Sequence, residues 1–169
     1  MAGVAAGDAL NVRARPSASA PVLGTLAPDA RGVEVVGVSP DGAWARVPLG
    51  EGEGWASLRH LRAQAGDPRA VPAPLACLGT EPFWALTVAA GGGVWEFPDE
   101  DARALRLVGE AAGFSGFALA FDDRGGARDL TVLRAECSDG MSDRPYGFAA
   151  LVWDREGELF EGCCRLLPE

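Results

Sequence analysis

The sequence predicts an all-β protein made of two small antiparallel modules. Its 12 prolines and 23 glycines in 169 residues interrupt the chain too often for long helices. Between them lie short runs in which apolar and polar residues alternate, the period of a half-buried strand. A Pro/Ala-rich segment, residues 64–76, divides these runs into two groups. We therefore expect one small barrel before this segment and a second antiparallel barrel or sandwich after it.

The first group, residues 1–63, contains five strand-like runs separated by turn sequences. The runs are ALNVRA, VLGTL, VEVVGVS, AWARVPL and GWASLRHL. Strands this short and this closely spaced are typical of a small barrel. The following residues 64–76 hold little that could be buried, and their proline content predicts a semi-rigid linker.

Three stretches of this first half carry a family resemblance. They are LNVRARPSASAPVLGTLAPDARGVEVV, DGAWARV and GEGWASLRHL, and together they resemble the bacterial Src-homology-3 (SH3) domain. The resemblance implies an SH3-like barrel. It also implies a groove that binds peptidoglycan peptides or proline-rich segments through aromatic walls, with Arg15, Trp44 and Trp55 as candidate binding residues. In the alternative interpretation both tryptophans belong to the core of a barrel that only spaces or docks a partner.

The second group, residues 77–169, contains about seven predicted strands. Phe83 to Val88 and Val94 to Phe97 flank a glycine-rich turn and predict a β-hairpin. Further strands are predicted in ALRLVGEA, GFALAFDD, ARDLTVLRAEC, YGFAALVWD and GELFEGCCRL, with turns at GFSGF and FDDRGGARD. This density of strands favours an antiparallel barrel or sandwich.

Three motifs of the second half also carry a resemblance. GTEPFW at 79–84, CSDGMSD at 137–143 and GCCR at 162–165 together resemble a family of uncharacterised bacterial envelope proteins and lipoproteins. The resemblance spans the second half of the chain. It brings no biochemical activity with it and implies only a location in the cell envelope.

The charge distribution argues against nucleic acid as a partner. Residues 1–64 carry 6 Arg and 6 acidic residues, whereas residues 65–169 carry 9 Arg and 18 acidic residues, so the net charge of −9 belongs to the second half. Binding of a phosphate backbone needs a basic surface. No apolar run approaches the roughly 20 residues that cross a bilayer, so we expect no transmembrane segment in this chain.

The four cysteines, Cys77, Cys137, Cys163 and Cys164, predict two disulfides. Neighbouring residues on a strand face opposite sides, so Cys163 and Cys164 are poor partners for one another. Three connectivities are open in principle. We favour Cys137–Cys163 with Cys77–Cys164, which would tie the opening segment and the central loop to the last strand.

An even number of cysteines suits an oxidising compartment. We therefore expect a periplasmic or outer-membrane-attached protein whose export signal or lipid anchor is missing from this sequence. No cysteine pair has the spacing of a structural zinc site, and the single histidine, His60, lies in the other half of the chain. We expect no metal and no other cofactor.

Candidate binding residues of the second half lie in the segments GTEPFW and CSDGMSDRPY. They are Glu81, Trp84, Asp139, Met141, Asp143, Arg144 and Tyr146. Paired carboxylates would suit glycosidase chemistry if Glu81 were buried and close to Asp139 or Asp143. The alternative is that Glu81 closes a barrel end by pairing with Arg144 or Arg165.

The segment CSDGMSDRPY lacks the acidic order of an EF-hand calcium loop. We interpret it as a loop held by Cys137, with a turn at Asp139–Gly140, Met141 packed against the barrel and Asp143 paired with Arg144.

The function predicted from these features is that of a non-enzymatic envelope protein. It would bind cell-wall material, a peptide or an envelope protein. A papain-like wall amidase would need a catalytic cysteine and a histidine in the second half, and that half contains no histidine. The alternative is a cell-wall hydrolase or hydrolase inhibitor in which the GTEPFW and CSDGMSDRPY loops meet at one end of the second barrel.

Overall fold

The computed structural model describes residues 3–123 and 126–167. Within them every regular element is a β-strand except one short 3-10 helix, which confirms the predicted all-β class. The chain forms two compact units: residues 3–65 in the first, and residues 66–141 with 146–167 in the second. Residues 142–145 group with the first unit.

The first unit is a five-stranded antiparallel sheet with the strand order β2-β1-β5-β4-β3. Its elements are β1 (Leu10–Arg13), β2 (Val22–Leu26), β3 (Gly37–Val38), β4 (Trp44–Leu49), β5 (Gly52–Ser57) and a 3-10 helix (Leu58–His60). The predicted strand VEVVGVS pairs only at Gly37 and Val38. In a regular strand Val33 and Val35 would share a face, but here Val33 packs against the core while Val35 faces solvent. GWASLRHL likewise leaves the sheet at Ser57 and continues as the 3-10 helix.

The core of the first unit is small and follows the strand alternation. Its buried members are Leu10, Val12, Ala45, Val47 and Ala56. Ala45 and Ala56 face each other in the β4–β5 register, so the residues on either side of them point outward. This parity places Trp44 and Trp55 on the outer face of the sheet, where both are half-buried.

The second unit is a closed eight-stranded antiparallel barrel. Its strands are β6 (Leu75–Thr80), β7 (Phe83–Ala89), β8 (Gly92–Glu96), β9 (Arg103–Ala112), β10 (Gly116–Asp123), β11 (Gly126–Leu133), β12 (Phe148–Asp154) and β13 (Leu159–Leu166). The ring order is β10-β11-β12-β13-β6-β7-β8-β9. The predicted hairpin is present as β7 and β8, and the architecture is the barrel rather than the sandwich.

Three predicted boundaries in this unit differ from the structure. The strand count of about seven omitted β6, in which Cys77 lies, because Pro74 precedes it and Gly79 lies within it. β11 ends at Leu133, so Cys137 does not end a strand. The predicted turns GFSGF and FDDRGGARD are shorter than expected, since β10 begins at Gly116 and extends to Asp123; residues 124–125 lie outside the described residues.

The interior of the barrel is filled by side chains. Trp84 and Trp95 stack with ring centroids 5.3 Å apart, and Phe160 tilts against Trp95 at the same centroid distance. Near one end, the guanidinium of Arg128 lies 4.9 Å from the Trp95 ring and is 2.7 Å from the Asp123 carboxylate. The described interior is thus a packed core.

The segment predicted as a linker is partly anchored on the barrel. Val71 packs against the barrel core, and the Arg134 guanidinium donates a hydrogen bond of 2.9 Å to the carbonyl oxygen of Ala70. Arg69 lies 5.3 Å above the ring of Phe114. This stretch was predicted to hold little that could be buried, because Val71 is an isolated apolar residue between small ones.

Candidate functional site

An open groove of about 700 Å³ lies on the first unit. It runs along the start of β1, the turn before β4, and the 3-10 helix. Its lining includes Asp8, Asn11, Arg13, Trp44, Ser57, Arg59 and His60. The groove therefore combines one aromatic wall with side chains of both charge signs.

Trp44 forms the aromatic wall. It is the first residue of β4, and because Ala45 is buried, the indole projects to the outer face opposite Ser57. Both backbone polar groups of Trp44 are hydrogen-bonded to Ser39. The Trp44 N–H donates to Ser39 Oγ at 3.0 Å, and the Trp44 carbonyl accepts from the Ser39 N–H at 2.9 Å. The backbone position of Trp44 is thus set by the preceding turn.

That turn, Ser39 to Ala43, is held by a small polar network. The buried Ser39 hydroxyl donates to Asp41 Oδ1 at 2.5 Å, and the Ala43 N–H donates to the same oxygen at 3.1 Å. Gly42 supplies the left-handed backbone, with φ of 70°, that closes the turn. The Ser39 hydroxyl, and then the Ala43 N–H, lower the pKa of Asp41 below its usual value.

The rim of the groove is polar. The Arg13 guanidinium donates to the Ala20 carbonyl at 2.8 Å, which ties the β1–β2 loop to the sheet. Arg59 Nε donates to His60 Nε2 at 2.9 Å, and the Asp8 carboxylate accepts from the Ala9 N–H at 2.8 Å. Such a rim offers donors for carboxylates and an acceptor for an ammonium group beside the indole.

Of the three residues predicted for this half, only Trp44 lines the groove. Trp55 lies on the outer face opposite Arg13 and Arg46 in the register, and Arg15 is exposed in the β1–β2 loop. The rim residues Asp8, Asn11, Arg59 and His60 were not among the binding residues predicted from sequence. They come from the two ends of the unit in sequence, so no local motif marks them.

The second unit carries a loop, Cys137 to Tyr146, that is closed at its base. The two residues form an antiparallel bridge in which each N–H donates to the other's carbonyl at 3.0 Å. Cys137 is also bonded to Cys163, in the middle of β13. The loop is therefore pinned at its base by backbone bonds and a disulfide.

Asp139 fixes the course of this loop. Its carboxylate accepts from the Tyr146 hydroxyl at 3.0 Å and from the Met141 N–H at 3.0 Å. Its carbonyl accepts from the Thr80 hydroxyl at 3.1 Å, so the CSDGMSDRPY and GTEPFW loops meet. β6 and β12 run in the same direction, because each pairs antiparallel with β13. The loop precedes β12, so it starts at the barrel end opposite Thr80, which is the last residue of β6. The loop consequently lies along the outer wall.

Several predicted residues of this half lie elsewhere than expected. Met141 is 69% exposed rather than packed against the barrel. Trp84 and Tyr146 are buried: Trp84 Nε1 donates to the Glu161 carbonyl at 3.1 Å inside the barrel, so neither side chain offers an open binding surface. Asp143 is exposed and Arg144 is half-buried.

Glu81 is exposed in the turn between β6 and β7. The paired-carboxylate hypothesis required a buried Glu81, because an apolar environment is what raises the pKa of a carboxyl toward that of a general acid. The structure does not provide that environment. Among residues 3–123 and 126–167, no group of three or more His, Cys, Asp or Glu is arranged to hold a metal ion.

Both disulfides have the favoured connectivity. Cys77 and Cys164 face each other on β6 and β13 and point into the core, with Cα atoms 3.9 Å apart. Cys163 points to the other face and bonds Cys137, with Cα atoms 5.6 Å apart. The strand alternation that made Cys163 and Cys164 poor mutual partners is thus what sends them to two different partners.

Comparison with known proteins bears on the first unit. Residues 8–62 match the family model of the bacterial SH3 domain. The match supports the SH3-like first domain. No curated protein and no solved structure matches the chain, and the envelope-family resemblance of the second half stays a prediction.

The bacterial SH3 match and the two disulfides fit a protein outside the cytoplasm. Across the described part of the chain, no helix has the length and apolar character needed to span a membrane.

Proposed function

We propose that the protein is a non-enzymatic, exported envelope protein whose Trp44 groove binds cell-wall peptide. The observation that carries the proposal is the rigid Ser39–Asp41 turn, which holds an outward indole beside a rim of both charge signs. Bacterial SH3 domains are commonly cell-wall-binding modules, and the match over residues 8–62 supports the same role here.

The chemistry of the groove fits a short peptide better than a glycan. Cell-wall stem peptides carry carboxylates, amino groups and amides along a short backbone. Arg59 and Arg13 lie where they would face carboxylates, and Asp8 lies where it would face an amino group, while the Trp44 indole supplies the apolar contact. A periplasmic or outer-membrane-attached location follows from such a ligand.

Binding to purified peptidoglycan tests the proposal, with Trp44→Ala as the test variant and Trp55→Ala as its matched control. Both residues are half-buried tryptophans on the same face, but only Trp44 lines the groove. We expect Trp44→Ala to weaken binding about tenfold or more and Trp55→Ala to retain most of it. Circular dichroism of both variants separates loss of binding from loss of fold. Equal binding by wild type and Trp44→Ala would contradict the proposal.

A second candidate function rests on the pinned loop. Met141 is 69% exposed at a loop held by a disulfide, a backbone bridge and the Thr80–Asp139 hydrogen bond. A rigid convex loop with an exposed apolar residue is the form that an inhibitor of a wall hydrolase would present. If this is its role, Met141→Ser relieves inhibition of the target hydrolase, whereas Trp44→Ala does not. For the hydrolase version, Glu81→Gln would have to abolish a measured turnover without loss of fold.

A further inference from the structure

An apolar strip lies on the outer wall of the barrel. It consists of Leu133 on β11, Leu151 and Trp153 on β12, and Leu159 on β13, which we call the Trp153 strip. Trp153 is 53% exposed and Leu159 is 57% exposed. Scattered surface leucines are ordinary, but a half-exposed tryptophan with exposed apolar residues at neighbouring register positions is not.

The strand register makes the strip continuous. Trp153 and Leu159 are direct partners in the β12–β13 pairing, and Leu151 is two residues from Trp153 on the same face of β12. Leu133 pairs with Ala149, the next outward residue of β12. Direct cross-strand neighbours lie about 5 Å apart and same-face neighbours about 7 Å apart, within side-chain reach.

Two carboxylates border the strip at defined positions. Asp129 is the register partner of Trp153 on β11, and Glu161 is the register partner of Leu151 on β13. Within residues 3–123 and 126–167, neither forms an ion pair. Arg155, two residues after Trp153, is exposed in the turn after β12. The half of the chain that holds the strip also carries the whole net charge of −9.

Closure of the barrel limits how a partner could bind. In the described register, β12 is paired with β11 over residues 149–154 and with β13 over residues 148–153, so the strand that carries Leu151 and Trp153 offers no free edge to which a peptide could add. Recognition here has to use side chains. An indole beside two uncompensated carboxylates attracts cations by charge and by its ring face, while the three leucines bury aliphatic groups.

We propose that the Trp153 strip docks a partner protein through a segment in which arginine or lysine alternates with apolar side chains. Charge complementarity to Asp129 and Glu161 selects this occupant. Leu151 along β12 and Leu159 across on β13 set the strip apart from a sugar-binding platform, which needs more polar groups around the ring. The strip does not depend on the Trp44 groove.

The test uses the full chain and two capped synthetic peptides, one alternating arginine and leucine and one alternating glutamate and leucine. The readout is the indole N–H signal of Trp153 in a heteronuclear NMR titration. We expect the arginine peptide to shift this signal, and an increase in salt from about 50 to about 300 mM to weaken the effect. Trp153→Ser and the pair Asp129→Asn with Glu161→Gln should each weaken binding about fivefold or more.

Two controls make the result specific. Val94 is also exposed and lies on β8, four strands from β12 in the ring of eight and thus on the opposite wall, so Val94→Ser should leave binding unchanged. Arg155→Gln removes a positive charge that repels the arginine peptide, so this substitution should strengthen binding of that peptide. Because all these side chains are on the surface, unchanged melting temperatures will show that the variants fold.

Three results would overturn the proposal. The first is the absence of a Trp153 shift with the arginine peptide up to about 1 mM, the weak limit of useful affinity. The second is equal binding of the glutamate peptide. The third is concentration-dependent self-association of the wild type that Trp153→Ser abolishes, since the occupant would then be a second copy of this chain.

Discussion

At the scale of the residue, two glycines decide where Trp84 lies. A Cβ at Gly162 would collide with the carbonyl oxygen of Leu78 and with the Trp84 ring, and a Cβ at Gly79 would collide with the indole nitrogen. The bare backbone lets the indole cross β6 and β13 and donate to the Glu161 carbonyl. The glycines of GTEPFW and GCCR are therefore packing requirements.

Gly162→Ala is expected to destabilise the protein by about 1–3 kcal/mol, the usual cost of overpacking a core. Gly109→Ala is the matched control, because its Cβ would meet only the Ala120 Cβ at 3.7 Å, an ordinary contact. Urea unfolding monitored by tryptophan fluorescence measures both. Equal free energies of unfolding for the two variants would show that the Trp84 packing is not tight.

Asp41 is the residue whose titration reports on the Trp44 turn. Its pKa is lowered chiefly by the Ser39 hydroxyl, so its midpoint in a carboxyl-carbon NMR titration should lie below 3.8. Because the pKa of Asp41 is lower in the folded protein than in the unfolded chain, its charged carboxylate stabilises the fold at any pH above the unfolded-state pKa. This stabilisation is lost as the pH falls through the folded-state pKa.

Ser39→Ala should raise the pKa of Asp41 toward 3.8. The pKa of Asp67 serves as an internal control, since it is lowered by Arg69 and should not respond. If Asp41 titrates at its usual value in the wild type, the turn network is absent in solution.

At the scale of the element, the two disulfides have separate roles. Cys77–Cys164 joins the neighbouring strands β6 and β13 on the core side of the barrel, whereas Cys137–Cys163 holds a loop against the wall. They close segments with sequence separations of 87 and 26 residues. Loop-closure entropy gives about 4.6 kcal/mol for the first and about 3.5 kcal/mol for the second.

Replacement of Cys137 and Cys163 by serine should cost about 2–4 kcal/mol and free the loop. Hydrogen exchange should then accelerate at the backbone amides of Met141 and Cys137 while the amides of β10 and β11 change little. Replacement of Cys77 and Cys164 by serine should cost more and speed exchange throughout the barrel. Faster exchange of the loop alone in the second variant would reverse the assignment of roles.

Sequence patterns predicted most elements because alternation reports directly on burial. The β7–β8 hairpin and the opposite facing of Cys163 and Cys164 both follow from period two. β6 was missed because a short strand that follows Pro74 and contains Gly79 looks like part of a linker. Met141 was misplaced because its environment depends on Thr80, far away in sequence, which holds the loop through Asp139.

The groove was only partly predictable for the same reason. Trp44 stood out as an aromatic residue at the start of an alternating run. Its partners Asp8 and His60 come from distant points in the first unit and are joined only by the fold.

At the scale of the whole molecule, each unit has its own hydrophobic core. We expect two thermal transitions, and all four cysteines lie in the second unit. A reductant should therefore lower the melting temperature of one transition and leave the other unchanged. Calorimetry with and without dithiothreitol checks this expectation. A single transition that shifts as a whole would show that the units unfold together.

The central claim, that the Trp44 groove binds cell-wall peptide, is tested most directly by NMR titration of the intact protein with soluble peptidoglycan fragments. The indole N–H signals of Trp44, Trp55 and Trp153 report on three outward positions. We predict a saturable shift at Trp44, a smaller one at Trp55 and none at Trp153, with glycan chains stripped of peptide giving no shift at Trp44. Unchanged Trp44 in the presence of peptide-bearing fragments, or an equal response to the stripped glycan, would contradict the account.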